Sequence, residues 1–320
     1  MNHKMFFLFA LGLSAINVVG DRIEIPPEIR EYKVNQYRVP LSDALNYPLL
    51  SGDSFRGISD WAVDHLVFQF EPENVKQGDV IFVGMAHLDF FIEKIAPKIN
   101  VQFIMITSNA SGTVDEKYLS FANNPKLLAW FGRNITLKHP KLVIIPLGLK
   151  WRGKGIKEYN TKMISYFNNN CHDRYFRRKN IHTVAAGFAN THRSREVLNN
   201  ALRNKLGDLG FVSVQKKLKF KDYINELASA RFVLSPRGAN IDCYRTWEAL
   251  YVGSIPVVES HGIDDVYEDL PVIIVKDLRQ ISKNFLDEQF CLLKTKSFNL
   301  KKLQIKYWYD LILTIKKSAQ

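Results

Sequence analysis

Residues 231–258 read RFVLSPRGANIDCYRTWEALYVGSIPVV. The pattern predicts a buried strand, a polar glycine turn, a helix, a glycine stop and a second strand. Gly238 relieves the turn so that the backbone can approach a ligand, and Gly253 suits the left-handed end of the helix. Asn240 or Asp242 can cap the helix start, where open N–H groups form an anion site. We therefore expect a negatively charged ligand at this turn.

Short apolar runs alternate with longer amphipathic stretches on both sides of this block. Buried strands are predicted at 79–83, 101–107, 142–146, 183–188, 211–214, 231–235, 254–258 and 272–275. Helical periodicity is present at 88–99, 115–122, 194–204, 221–229, 242–252 and 282–289. Strands that are buried on both faces and separated by helices predict an α/β fold with parallel, doubly wound sheets.

The strands fall into two series, separated by a polar segment between residues 150 and 180. The domain bounds that we predict are 1–20 for a leader, 21–155 for the first half and 156–320 for the second. Two such halves would face each other across a cleft at the carboxyl ends of their strands, where parallel sheets bind ligands. The last segment, residues 300–317, is amphipathic, and we expect its apolar face to pack against the rest of the protein.

The composition is that of a folded protein. The chain has 320 residues, of which 46% are hydrophobic and 24% are charged. Its formal net charge of +12 favours an anionic partner without choosing among nucleic acid, a phosphorylated small molecule, an acidic glycan and a membrane. The three cysteines, Cys171, Cys243 and Cys291, are too far apart to organise a disulfide scaffold or a zinc site. We expect reduced, partly buried thiols, with one disulfide as the alternative.

The amino terminus has the pattern of a secretory leader. Residues 1–4 are positively charged, residues 5–19 are apolar apart from Ser14 and Asn17, and small residues precede Asp21. The apolar run is shorter than the ~20 residues that span a bilayer, so we expect cleavage. A short signal anchor stays open as the alternative. The predicted compartment is the secretory lumen or the outside of the cell, or the periplasm in a bacterium.

Several chemistries lack their sequence markers. There is no glycine-rich dinucleotide motif after a strand, no phosphate-binding P-loop, no zinc-protease motif and no nucleophile elbow. The absence of Asp-x-Asp argues against an enzyme that holds a diphosphate through a divalent metal ion. Dispersed basic residues and the leader argue against a nucleic-acid partner. We therefore predict no metal and no cofactor.

Arg245 and Glu248 share one face of the predicted helix because they are three residues apart. An arginine beside a helix start can hold a diphosphate through two parallel charge-assisted hydrogen bonds. A glutamate one turn later can accept hydrogen bonds from a ribose diol. The alternative is an ordinary Arg–Glu pair on a solvated face of the helix.

The same block resembles the donor-binding signature of exostosin-like glycosyltransferases (glycosyltransferase family 47), and it is most similar to the branch that contains the ribitol xylosyltransferase. The positions that match are Cys243, Tyr244, Arg245, Glu248 and 253–258. Further blocks that look like this family lie at 52–56, 78–83, 88–91, 130–134, 139–142 and 146–149. The resemblance implies two facing Rossmann-like domains of the GT-B type, with an acceptor domain first and a nucleotide-sugar donor domain second. It also implies that Arg245 lies near the diphosphate and Glu248 on the ribose.

Other candidate residues complete the donor site and supply a base. Arg193 stands at a helix start and Arg237 lies in the glycine turn, so each is a further candidate for phosphate. We add the turn residues Ser235 and Gly238 to the predicted donor-binding set, and we count Arg245 among the catalytic residues. Inverting transfer needs a base on the first half to take the acceptor proton. Asp89 matches an acidic residue of the family, with helix capping as its alternative role, and His87 is the second candidate.

The sequence thus predicts an exported, metal-independent, inverting glycosyltransferase, either a hexosyltransferase or a pentosyltransferase. Its partners would be a nucleotide sugar and a glycan or glycoconjugate acceptor, with membrane association only through an uncleaved leader. The alternative is an inactive secreted glycan-binding protein of the same fold. A basic nucleic-acid binder is a third interpretation, and it would show affinity that falls steeply with salt.

Overall fold

The computed structural model describes residues 48–65, 70–150, 156–168, 172–177, 193, 195, 196, 198 and 218–318. The predicted leader, the predicted strands at 183–188 and 211–214, and Cys171 lie outside this part of the chain. Of the helix predicted at 194–204, residues 195, 196 and 198 are described, and all three are helical.

The first half contains a parallel sheet of five strands in the order β1-β2-β3-β4-β5. The strands are β1 Trp61–Val63, β2 Asp79–Gly84, β3 Phe103–Ser108, β4 Leu127–Gly132 and β5 Leu142–Ile144. Short helix α1, Gly52–Gly57, precedes β1, α2, Leu88–Phe90, lies between β2 and β3, and α3, Leu119–Ala122, lies between β3 and β4. The α/β prediction with a parallel sheet is confirmed for this half.

Both faces of this sheet are buried, as the continuous apolar strands predict. Every residue of β2 and β3 is buried. Val80 and Phe82 belong to the core on one face, whereas Ile81 and Val83 belong to the core on the other. This division follows from the two-residue period of a strand. Layers on both sides therefore leave the ends of the strands as the place where polar groups can meet a ligand.

The stretch predicted as one helix at 88–99 is irregular. After α2 the chain forms a π-helix, Phe91–Ile95, and then a 3₁₀-helix, Ala96–Lys98. Pro97 stands at the start of that last turn. Because proline has no N–H to donate, a regular α-helix cannot continue through it.

The second half contains a parallel sheet with the order β6-β7-β8 among the described residues. Its strands are β6 Phe232–Leu234, β7 Ile255–Glu259 and β8 Ile273–Val275. The helices of this part are α4 Ile156–Asn168, α5 Phe220–Ser229, α6 Tyr244–Tyr251 and α7 Lys283–Lys294. Helix α4 lies within the segment that we predicted to be polar and interdomain. Helices α5, α6 and α7 agree with the sequence pattern to within a few residues at each end.

The last helix, α8 Ile305–Ser318, packs on the first sheet. Ile305, Trp308, Tyr309 and Ile312 project from one face at helical spacing and join the core that contains Phe82. The prediction that this amphipathic face serves packing is therefore confirmed. The chain returns to its first half at its end, and the domain bounds stay a prediction.

Residues that follow strands of one sheet contact residues that follow strands of the other. The Leu147 N–H, beyond β5, donates to Oδ2 of Asp242 at 2.8 Å, and the Asp242 N–H, beyond β6, donates to Oδ1 of Asn134 at 3.2 Å. The Leu50 N–H donates to the Tyr251 hydroxyl at 2.9 Å. The carboxyl end of each sheet thus lies at this junction. Within the described ranges, no helix is both long enough and apolar enough to cross a bilayer.

Candidate functional site

Helix α6 starts directly beyond the turn that follows β6. Its N-cap is Cys243, and the Cys243 side chain makes no capping hydrogen bond. The prediction that Asn240 or Asp242 caps the helix is therefore wrong. The Asp242 carboxylate instead accepts from Leu147 and from Nε1 of Trp247 at 2.9 Å. The predicted left-handed stop is confirmed, because Gly253 has a φ of 73°.

Arg245 and Glu248 are buried on this helix, each with a relative exposure of 7%. The alternative of a pair on a solvated face is therefore wrong. Oε1 of Glu248 accepts from the Tyr159 hydroxyl at 2.8 Å, and Oε2 accepts from the Tyr223 hydroxyl at 2.7 Å. The Arg245 guanidinium carbon lies 5.4 Å from the centre of the Tyr223 ring, within cation–π range.

The turn between β6 and α6 is held by side chains from two directions. The Ser235 hydroxyl is buried and lies 2.7 Å from Oγ1 of Thr246 and 3.1 Å from Sγ of Cys243. On the other side, Arg195 donates to the carbonyls of Arg237 at 3.0 Å and Pro236 at 3.3 Å. These contacts fix the backbone of the turn against the start of α6.

Gly238 lies against the Arg195 side chain. A Cβ at Gly238 would lie 2.9 Å from Nη2 of Arg195, so a larger residue would push the guanidinium away. The sequence predicts that a ligand approaches the backbone at this glycine, and in the structure the Arg195 side chain lies there.

Arg195, and not Arg193, contacts the turn. Arg193 is exposed on the same helix. Burial lowers the pKa of Arg195, and the positive charge of the nearby Arg245 lowers it further. Sequence reasoning missed Arg195 because both arginines stand at the helix start and the pattern does not show which one points inward. Two guanidinium groups of like charge therefore lie close together beside the turn.

A small cavity lies between the ends of β6 and β7. Its volume is about 10 Å³, enough for one water molecule, and Arg237, Glu259, His261 and Tyr267 are among the residues that line it. Nε of Arg237 and Nε2 of His261 are buried without a hydrogen-bond partner. Burial lowers the pKa of His261, and the charge of Arg237 lowers it further. This end of the sheet thus holds polar atoms that a ligand or a water can satisfy.

Asp89, the predicted base, lies in a different environment. Its side chain is 56% exposed and forms an ion pair with Nζ of Lys117 at 2.7 Å. The Tyr118 hydroxyl donates to it at 3.0 Å, and the hydrogen bond from Lys117 lowers its pKa. The three residues line a surface hollow of about 460 Å³. The N-cap of α2 is His87, so the alternative role of Asp89 as the helix cap is not observed either.

His87, the second candidate base, lies directly beyond β2. Its Nδ1 is buried and has no hydrogen-bond partner. Gly84 is packed closely against it, since a Cβ there would lie 3.5 Å from Nδ1 of His87 and 3.1 Å from Cβ of Asp64. Asp64 in turn forms a buried ion pair with Nε of Arg56 at 2.7 Å. His87 thus lies at the carboxyl edge of the first sheet, with a buried Nδ1 that no hydrogen bond satisfies.

The structure brings part of the predicted site together. Arg245 and Glu248 lie side by side on α6, beside the turn that holds Ser235, Arg237 and Gly238. Arg193 is exposed, and Asp89 pairs with Lys117 and Tyr118. Among the described residues, no cluster of three or more histidine, cysteine or acidic side chains can hold a metal ion. Cys243, which is buried, and Cys291, which is exposed, are both free thiols, as predicted for these two.

Comparison with protein families gives one match to this part of the chain. Residues 185–318 match the RXYLT1 C-terminal domain. The match includes the second sheet, the turn, helix α6 and the last helix that packs on the first sheet. The second part of the chain is thus RXYLT1-like, which agrees with the branch that the residue pattern indicated. A search of curated proteins finds no match to the chain.

Proposed function

We propose that the chain is a glycosyltransferase that moves a sugar from a nucleoside diphosphate sugar to a hydroxyl of a glycan or glycoconjugate. The observation that carries this proposal is the buried pair Arg245 and Glu248 beside the turn after β6. A cation and a hydrogen-bond acceptor at the carboxyl end of a parallel strand suit the two ends of a nucleoside diphosphate. The match to the RXYLT1 C-terminal domain supports a glycosyltransferase-like function for the same region.

The donor diphosphate would lie at the start of α6. Negative charge grows on the diphosphate as its bond to the sugar breaks, and preorganised cations stabilise that charge. Arg245 is the first such cation. Arg195 replaces Arg193 as the second, because it faces the turn, and Arg237 is the third. We propose that no metal ion takes part, since these cations supply the positive charge.

The acceptor would enter from the first half, because the carboxyl ends of both sheets lie at one junction. In an inverting step the acceptor oxygen forms a bond to the anomeric carbon while the bond to the diphosphate oxygen breaks. A base on the first half takes the hydroxyl proton. His87 suits this role better than Asp89, because the oxygens of Asp89 already hold Lys117 and Tyr118.

A thermal-shift panel tests the proposal. The protein is heated with UDP, GDP, CDP, ADP and their sugars, with inorganic phosphate as the control. A ligand that binds the native state raises the midpoint, so we expect one nucleotide and its sugar to raise it well above phosphate. No shift with any nucleotide, together with binding to a glycan array, would favour the inactive glycan-binding alternative.

A further inference from the structure

The Glu248 carboxylate is held from both sides by helices other than its own. Tyr159 comes from α4 and Tyr223 from α5, and each donates its hydroxyl to a different oxygen of the carboxylate. Both tyrosines are far from Glu248 in sequence, by 89 and 25 residues. The orientation of the carboxylate therefore depends on three helices packed together.

This arrangement leaves one further acceptor direction on each oxygen. A carboxylate oxygen offers two lone-pair directions, and one tyrosine hydroxyl occupies one of them. Each oxygen can therefore accept one further hydrogen bond. Two hydroxyls on adjacent carbons, as in the 2′,3′-diol of a ribose, can supply one donor to each oxygen, whereas a 2′-deoxyribose supplies only one.

The two donors are fixed in place and stay protonated. The Tyr159 ring is buried and packs on Phe220 with ring centres 4.6 Å apart. Tyr223 is packed under Arg245. Burial raises the pKa of each hydroxyl, and the charge of Glu248 raises both further. At neutral pH each tyrosine is therefore a hydrogen-bond donor to the carboxylate.

We propose that Tyr159 and Tyr223 are positioning residues, which aim the Glu248 carboxylate so that the site selects a ribonucleoside over a 2′-deoxyribonucleoside. This inference rests on the proposed function, because it takes Glu248 to be the ribose-binding residue. Tyr223 also contacts Arg245, so it connects the residue for the ribose with the residue for the diphosphate.

Calorimetric titration of Tyr159→Phe and Tyr223→Phe tests the inference. The ligands are the nucleoside diphosphate that stabilises the protein most, its 2′-deoxy form and inorganic pyrophosphate. One hydrogen bond to a charged group accounts for about tenfold in affinity, so the wild type should prefer the ribose form by roughly that factor. Each variant should reduce the preference to about threefold or less and leave pyrophosphate affinity unchanged.

Tyr175→Phe is the matched control. The Tyr175 hydroxyl is also buried and also donates to α6, at the carbonyl of Leu250 at 2.7 Å. Its loss removes a comparable hydrogen bond without touching Glu248, so the preference for ribose should remain that of the wild type.

The outcomes separate this inference from the proposed function. A wild type that prefers ribose, together with tyrosine variants that keep the full preference, overturns the positioning role alone. An equal loss of affinity for all three ligands assigns the tyrosines to packing and also overturns it. A wild type that binds nucleotides without preferring the ribose form would show that Glu248 does not bind the ribose. This result would overturn the inference. A wild type that binds no nucleotide overturns both proposals.

Discussion

Arg245 and Glu248 are charged side chains at buried positions, where apolar side chains would have a smaller free-energy penalty of burial. Burying an ionised group is unfavourable unless hydrogen bonds and opposite charges replace its water, and apolar substitutes of similar size are often more stable. Glu248 receives two tyrosine hydroxyls, and Arg245 lies over an aromatic ring. Packing alone does not require this arrangement, and the proposed binding of a nucleoside diphosphate accounts for it.

At the scale of single residues, His87 and Asp89 can be told apart by mutation. Hydrolysis of the nucleotide sugar that stabilises the protein most serves as the activity. His87→Asn should lower kcat by about 100-fold or more, because a general base supplies that much, with nucleotide affinity unchanged. Asp89→Asn should change kcat by less than about threefold, since its carboxylate is paired with Lys117. A large loss in Asp89→Asn with normal activity in His87→Asn would return the base to Asp89.

At the scale of elements, the last helix, α8, packs against the first sheet, so the end of the described chain contacts its beginning. Trp308 is buried, contacts Phe55 edge to face with ring centres 6.2 Å apart, and donates from Nε1 to the carbonyl of Lys302 at 3.0 Å. The core of the first sheet is therefore incomplete without α8. A helix that begins 173 residues beyond the end of β4 in the sequence closes the face on which Phe131 lies.

Trp308→Ala should destabilise the protein strongly. Truncation of a buried tryptophan leaves a cavity and costs about 3–5 kcal/mol in the free energy of unfolding. Lys317→Ala, on the exposed side of the same helix, should change that free energy by less than about 0.5 kcal/mol. Urea denaturation measures both. Equal, small effects of the two substitutions would show that α8 is not part of the folded core.

Some elements were predictable from sequence and others were not, for physical reasons. Strands β2, β3 and β7 are apolar runs buried on both faces, so their composition alone indicates them. Strand β1 has only three residues, which is too short for a period to appear. Helix α4 stands beside polar residues and buries only part of its surface. Its sequence pattern therefore indicates a boundary between domains and not a helix.

The site was predictable where it depends on one helix. Arg245 and Glu248 are three residues apart, and helical geometry puts them on one face. The tyrosines that hold Glu248 come from two other helices, and local spacing carries no information about such contacts. The same reason explains why the sequence favoured Arg193 over Arg195, because side-chain direction at a helix start depends on what packs there.

At the scale of the whole molecule, Asp242 connects the two halves and predicts a dependence of stability on pH. Burial raises its pKa to about 6, above the value of about 3.9 in unfolded chains. Between these values the folded protein binds more protons than the unfolded one, so the free energy of unfolding falls as pH rises. The fall attributable to this group is roughly 2 kcal/mol between about pH 4.5 and pH 7.5.

Urea denaturation of the wild type and Asp242→Asn at both pH values measures this effect. The variant loses the titrating group, so the stability of the wild type relative to the variant should decrease as pH rises. Parallel curves for the two proteins would contradict the raised pKa.

The predicted leader concerns the whole molecule, because it determines the compartment that we propose for the protein. Residues 1–20 have the charge and apolar pattern of a secretory signal, so the mature protein should begin near Asp21. Amino-terminal sequencing of protein recovered from the exported fraction measures this directly. An intact Met1 on protein recovered from the cytosol would contradict the proposed compartment.

The central claim is that helix α6 holds a nucleoside diphosphate through Arg245 and Glu248, and calorimetric titration of Arg245→Ala and Glu248→Gln tests it most directly. Loss of a charged hydrogen-bonding partner costs ~1.5–3 kcal/mol, so Arg245→Ala should weaken binding of both the nucleoside diphosphate and pyrophosphate by about tenfold or more. Glu248→Gln should weaken the nucleoside diphosphate and spare pyrophosphate. Folded variants that both retain wild-type affinity would remove the donor site from this helix.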